Sequence, residues 1–183
     1  QVGVAEDGTR IVVKQFKAGG RRALAIEGEA LRRLTDTDAD TPALVGLSMK
    51  DRMVMMSFFE GKSSLEIGRV RDLVTFSKIV VRVCKTLSIA PEHKVIHCDV
   101  NPGNLLVSGC DICLVDWACS RILDYSTKGI RFGKLGYYQP PEIMDGDFGP
   151  YTDVFGAAGT FLWILANASP NRFRGLPQEE VKE

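Results

Sequence analysis

Along the chain the spacing of apolar side chains changes from two to nearly four and back, and those changes mark its elements. The start reads as a β-hairpin. Val2 to Ala5 is apolar, Glu6, Asp7 and Gly8 supply turn residues, and Thr9 to Phe16 is rich in β formers. On the second strand Val12, Lys14 and Phe16 share one face, and Ile11, Val13 and Gln15 the other. After Gly19 and Gly20 the spacing lengthens and predicts a helix from Arg21 to Leu34. Ala23, Leu24, Ala30, Leu31 and Leu34 form its apolar stripe, with Glu27 at the centre. Glu29, Arg22, Arg32 and Arg33 fall on the opposite, solvated face. A carboxylate inside an apolar stripe needs a cationic partner, because burying it unpaired is costly; otherwise Glu27 is interfacial and reaches water.

Two short strands are predicted next, Leu44 to Leu47 and Met53 to Phe59, followed by a loop from Glu60 to Ser64. Leu73, Phe76, Val80, Val83 and Leu87 recur at helical spacing and predict a long amphipathic helix. From Val95 to Val115 the pattern returns to short strands and loops, and Asp116 to Pro141 is largely irregular. The segment Val154 to Ala166 is strongly apolar but shorter than the roughly 20 residues a membrane span needs. It predicts a buried core helix capped by Thr152 or Asp153, followed by a frayed polar end. Strands come first and helices later, which predicts an α+β fold of two unequal lobes rather than alternating βαβ units.

Composition narrows the functions. The 183 residues carry 23 basic and 23 acidic side chains, and 45% are hydrophobic. Such a chain is too apolar for a disordered tail, and its zero net charge argues against nucleic-acid and anionic-membrane binding. Nothing at the N-terminus reads as a secretory leader, and a first residue of Gln1 rather than Met is what a fragment is expected to show. Cys84, Cys98, Cys110, Cys113 and Cys119 are odd in number and irregular in spacing, which predicts reduced thiols in an intracellular compartment, cytoplasmic or nuclear. Cys110 and Cys113 read as small apolar side chains of a hairpin rather than half of a zinc site. The pattern specifies no oligomeric state.

The chemistry concentrates between Val95 and Trp117. Asp99 and Asn104 lie five apart in a loop containing Pro102 and Gly103, so two oxygen ligands can aim at one point. Asp116 follows the predicted strand Ile112 to Val115. Two carboxylates and an amide at strand ends suit a magnesium-dependent reaction on a polyphosphate, since Mg²⁺ takes hard oxygen ligands.

These motifs resemble the eukaryotic-type protein kinase superfamily. His97 to Asn104 is similar to the H-R-D-x-x-x-x-N catalytic loop, and Asp116-Trp117-Ala118 to D-F-G. Val12-Val13-Lys14 resembles the end of V-A-I-K, and Glu27 stands where the helix glutamate is expected. Pro140-Pro141-Glu142 resembles A-P-E, and Asp153 to Gly156 the start of the following core helix. The resemblance covers roughly residues 2 to 166. It implies a β-rich N-lobe and hinge over 1–59, a mainly helical C-lobe over 60–170 and a polar tail over 171–183. The glycine-rich loop would lie upstream of Gln1, and the family's last helices would have no counterpart in these residues.

The resemblance also implies roles. Lys14, positioned by Glu27, would hold ATP phosphates; Asp99 would accept the proton of the attacking hydroxyl; Asn104 and Asp116 would bind Mg. Met56 fits the gatekeeper position, Ser57, Phe58 and Phe59 the hinge, and Val12 and Leu106 the two sides of adenine. The departures are Cys98 for the catalytic-loop arginine, Asn101 for the lysine of many Ser/Thr kinases, and Ala118 for the D-F-G glycine. Lys134 or Leu135 stands at the threonine position before A-P-E. Ser120, Tyr125, Ser126 and Thr127 are candidate phosphate acceptors. Three functions are compatible with this pattern: phosphoryl transfer from Mg·ATP to a protein hydroxyl of the Ser/Thr type, a pseudokinase scaffold without turnover, and a small-molecule kinase of the aminoglycoside-phosphotransferase type.

Overall fold

The computed structural model describes residues 1–5, 7–124 and 136–168. The expected acceptors Tyr125, Ser126 and Thr127, the Lys134 and Leu135 positions, and the tail over 171–183 lie outside the described residues. Strands β1 (Val2–Val4), β2 (Arg10–Gln15), β3 (Leu44–Ser48) and β4 (Met53–Ser57) form an antiparallel sheet in the order β1-β2-β4-β3. The hairpin turn is closed by Asp7, whose Oδ1 accepts the Thr9 N–H at 2.9 Å. Pairing of β2 with β4 sets Val12 beside Met56 and Lys14 beside Val54. Val54 and Met56 are buried and Val12 packs against them, so the Val12 and Lys14 face looks into the core.

Helix α1 (Arg21–Leu34) covers that face, with Leu24, Glu27, Ala30, Leu31 and Leu34 buried. A glycine inside a helix costs roughly 1 kcal/mol relative to alanine. Gly28 lets the helix approach closely, because a Cβ there would lie 2.8 Å from the end of the Leu47 side chain, which would have to shift aside. The predicted solvated face is corrected at two positions. Glu29 and Arg33 are mostly covered, because Arg33 reaches across to Asp124 and to the His93 carbonyl.

The rest of the chain is mainly helical. After β5 (Lys62–Ser63) and the single turn α2 (Ser64–Ile67), helix α3 (Leu73–Glu92) starts at Asp72, whose carboxylate accepts the Val74 and Thr75 N–H groups. Its buried face is Ile79, Val83, Thr86, Leu87 and Ala90. Leu73, expected in the stripe, is exposed because the first turn projects past the core. Short strands follow: β6 (Val95–Ile96), β7 (Leu105–Ser108), β8 (Asp111–Leu114) and β9 (Arg121–Ile122). Strands β5, β7 and β8 form one small sheet, and β6 pairs with β9. Cys110 lies in the β7–β8 turn and Cys113 is buried on β8, which is the hairpin arrangement the spacing predicts. Ser120 is buried, which removes it from the accessible phosphate acceptors.

The apolar segment forms helix α4 (Pro150–Ala166), three residues earlier than a cap at Thr152 allows and four earlier than one at Asp153. Gly149 is the N-cap, and the Thr152 hydroxyl, one turn in, accepts the Gly149 N–H. Asp153 is buried inside the helix and caps nothing; its role belongs to the loop described below. Among the described residues no helix is long and apolar enough to cross a membrane. One contiguous cluster, including Leu24, Val54, Ile79, Leu105, Trp117 and Ile164, joins both parts of the molecule. The result is α+β with two unequal lobes.

Helix α4 touches the loop after β6 through Gly156, where a Cβ would sit 2.5 Å from the Val100 carbonyl oxygen. A backbone carbonyl cannot rotate aside as a flexible side chain can. Gly156→Ala should therefore lower stability by about 1–3 kcal/mol in urea unfolding. Gly109→Asn, at an open turn with φ of +62°, should change it by less than about 0.5 kcal/mol.

Candidate active site

Lys14 and Glu27 meet because alternate residues of β2 and one stripe of α1 face the same space. The Lys14 ammonium donates to Glu27 Oε1 at 3.0 Å and lies 2.8 Å from Oε2. It also donates to Asp116 Oδ1 at 2.9 Å. The Glu27 side chain is 1% exposed, Lys14 32% and Asp116 46%, so the triad runs from the core to the mouth of a cleft. Burial works against the charge on Lys14, but hydrogen bonds and charge from Asp116 and Glu27 outweigh it and raise its pKa. Burial pushes the Glu27 carboxyl upward against the pull of the lysine. The buried carboxylate thus has the cation its sequence position demands.

The loop after β6 is held by one buried carboxylate and by neutral amides. The Asp153 carboxylate accepts the His97 N–H at 2.8 Å and the Cys98 N–H at 2.7 Å. Burial lifts this carboxyl to about 7, against the two donors that favour its charged form. Asn101 Oδ1 accepts the Gly103 N–H and its Nδ2 donates to the Asp99 carbonyl, so this residue ties the loop to itself. Asn104 Nδ2 donates to the same carbonyl and, at 3.0 Å, to Asp99 Oδ2. Burial raises the Asp99 pKa, opposed by the Asn104 hydrogen bond and reinforced by the charge of Asp116. Cys98 and Asp116 both have φ of +63°, a backbone conformation costly for residues with a Cβ. Such strain persists only where surrounding contacts over-determine it.

A cavity of about 650 Å³ opens between the sheet and the small β7–β8 sheet. Val12, Lys14, Met56, Ser57, Phe58, Phe59, Leu106 and Asp116, all singled out from sequence, line it, together with Glu27. Its size is within the usual range for small-molecule sites. Asp99 and Asn104 lie outside the lining, but the Asn104 carbonyl accepts the Val115 N–H at 2.9 Å, which fixes the loop beside Asp116. Asp153 and Gln139 were given no role by the motifs; both touch the Asp99 loop. The sequence singled out Asp153 through the D-V-F-G match and as a candidate cap, neither of which points to the loop, and nothing pointed to Gln139.

Asn104 Oδ1 accepts no hydrogen bond among the described residues, and Asp116 keeps Oδ2 outside its pairing with Lys14. One amide and one carboxylate oxygen fit Mg²⁺, which commonly takes one or two protein ligands and leaves the rest to water and phosphate. Among the described residues no cluster of three or more His, Cys, Asp or Glu side chains forms a metal site.

His97 couples loop and strand. Its Nδ1 accepts the Asp99 N–H at 3.2 Å, so the proton sits on Nε2, 3.1 Å from the Val115 carbonyl it faces. Burial lowers its pKa from 6.5 to about 4. The fold therefore holds neutral imidazole, while the unfolded chain gains a proton as pH falls below about 6.5. This stability is full above that pH and is lost toward pH 4. Between pH 7 and 5 the wild type should lose about 2 kcal/mol more than His97→Phe in parallel urea unfolding. Equal losses in the two proteins would remove His97 as the titrating group.

Comparison with known proteins places this site in a family. The RIO domain model matches residues 4–127, a span that holds Lys14, Glu27, Asp99, Asn104 and Asp116. Serine/threonine-protein kinase VHS1 of Saccharomyces cerevisiae is 34% identical over 99 residues, covering 51% of this chain and 21% of that protein. A probable serine/threonine-protein kinase of Clostridium perfringens is 26% identical over 160 residues, covering 84% of this chain and 22% of that protein. PknF of Mycobacterium tuberculosis is 23% identical over 129 residues, 63% of this chain and 27% of that protein. The chain thus spans about a quarter or less of the length of these curated relatives. Over the residues that build the site, the chain belongs to the RIO domain family, and with it to the protein kinase-like superfamily.

Proposed function

We propose that this chain carries the site of a protein kinase that transfers the γ-phosphoryl group of Mg·ATP to a protein hydroxyl, of the Ser/Thr type. The observation that carries the reading is the Lys14 ammonium, held by buried Glu27 and Asp116 at the mouth of an apolar cavity. A cation so fixed is suited to phosphate oxygens, and the cavity walls Val12, Met56 and Leu106 to the faces of a purine. Ser57, Phe58 and Phe59 offer backbone groups to its edge. Kinase-named relatives and the RIO domain match support the same chemistry.

In this reading Asn104 and Asp116 hold the metal, which when bound neutralises phosphate charge. Asp99 orients the substrate hydroxyl and takes its proton as the hydroxyl oxygen bonds to the γ-phosphorus. The bond from that phosphorus to the bridging oxygen breaks, and ADP leaves with the electron pair. Its raised pKa favours uptake of that proton. Lys14 meets developing negative charge with a fixed positive one, so no reorganisation is needed as the reaction proceeds. The division into a lobe over 1–59 and a lobe over 60–170 belongs to this proposal, as does a protein substrate.

Mg·ATP should raise the melting temperature of the chain, corresponding to about 2.7 kcal/mol at a hundredfold excess over Kd. Lys14→Met and Asp116→Asn should each abolish the shift. Asp99→Asn should keep the shift and lose phosphate transfer to a Ser/Thr peptide library by at least about a hundredfold. Absence of any shift at millimolar Mg·ATP sinks the nucleotide reading. A shift without transfer in the wild type leaves a nucleotide-binding scaffold instead.

A further inference from the structure

Asn101, at the position of the catalytic-loop lysine, spends its side chain within the loop. Lys134 and Leu135 lie outside the described residues. Yet the segment before Pro140 does return to Asp99, through a side chain no motif singled out. Gln139 is buried, and its Nε2 lies 3.4 Å from both Asp99 Oδ1 and the Cys98 carbonyl. Its Oε1 accepts the Gly136 N–H at 3.0 Å.

That last contact fixes the amide's orientation. A backbone N–H needs an acceptor, so the carbonyl end must face Gly136 and the NH₂ end must face the two oxygen acceptors. Every polar atom of the side chain is then used. Asp99 is consequently gripped from both sides, Oδ2 by Asn104 and Oδ1 by Gln139. Neither grip is charged. A lysine would orient the carboxylate but also stabilise its anion, whereas an amide orients it with less loss of basicity. Each carboxylate oxygen has two lone-pair sites, so one remains on each for an incoming hydroxyl.

We propose that Gln139 is a positioning residue for Asp99, orienting its carboxylate with one neutral amide. It couples the segment that begins Pro140-Pro141-Glu142, and whatever peptide rests on it, to the orientation of the proton-accepting carboxylate. The inference rests on the phosphoryl-transfer reading above. Gln139 does not line the nucleotide cavity, so the coupling belongs to transfer and not to nucleotide binding.

Two isosteric changes separate this role from a local structural one. Gln139→Glu keeps an oxygen for the Gly136 N–H but turns the donor facing Asp99 into a like charge; Gln139→Leu removes both contacts. With the full 183-residue chain, Mg·ATP and a Ser/Thr peptide library, both variants should lower kcat by about 10- to 100-fold. The KM for ATP should stay within about twofold, and the Mg·ATP melting shift should be unchanged. If Gln139→Glu keeps full kcat while Gln139→Leu loses it, the residue serves only the Gly136 turn and the proposal falls. A raised KM for ATP at constant kcat overturns it too. A melting cycle of Gln139→Leu, Asp99→Ala and the double variant tests the contact without activity. Non-additive shifts are expected, and additive ones reject the contact. A wild type that binds Mg·ATP and transfers nothing, with non-additive shifts, overturns the enzymatic reading and with it the catalytic use of a contact that exists.

Discussion

Glu27 inside the core is the constraint from which the site is built. A carboxylate with 1% exposure demands a cation, and Lys14 is the one β2 delivers. Removing one member of a buried pair costs about 3–5 kcal/mol, far more than the helix preference of any single residue in α1. The pair therefore sets where α1 sits on the sheet, and Gly28 lets the helix close on Leu47 without displacing its side chain. Asp116 joins the same ammonium from the end of β8, so one charge fixes three elements and gives the cavity its polar end.

A second network, of one buried carboxylate and neutral groups, holds the loop that carries Asp99. Asp153, from α4, takes two of its N–H groups; His97 bridges it to β8; Asn101 and Asn104 fasten it internally. These bonds offset the left-handed backbone at Cys98 and Asp116. The consequence is a division of labour. Charge gathers where phosphate would be met, and neutral amides and backbone groups orient the carboxylate that would receive a proton. Such a carboxylate keeps more of its basicity than one paired with a lysine.

Much of this was legible in the chain. Helix α1 spans Arg21–Leu34, the range its apolar period predicts, because the stripe is strong and preceded by two glycines. Lys14 and Glu27 announced themselves as charges in apolar settings, and the eight cavity residues followed from motif order. The errors share a cause. Thr152 and Asp153 looked like caps because a capping residue and a buried polar residue at the head of a helix have the same local signature; α4 begins earlier, with Pro150 at its first turn and Asp153 turned toward the loop. Glu29 and Arg33 looked solvated because no local pattern shows that Asp124 and the His93 carbonyl lie against them. The buried position of Ser120 was equally invisible.

The sequence by itself determined the periods of its elements, the two charges that had to be paired and the ordered motifs of a kinase-like chain. These are short-range properties, written in residues three, four or five apart. The tertiary structure decided the distances: that Lys14 reaches across 102 positions to Asp116, that Asp153 holds the loop 55 and 56 positions before it, and that Gln139 faces Asp99. Contacts at such separations depend on how the helices pack against the sheets, and packing is a property of all the buried side chains together rather than of any local run.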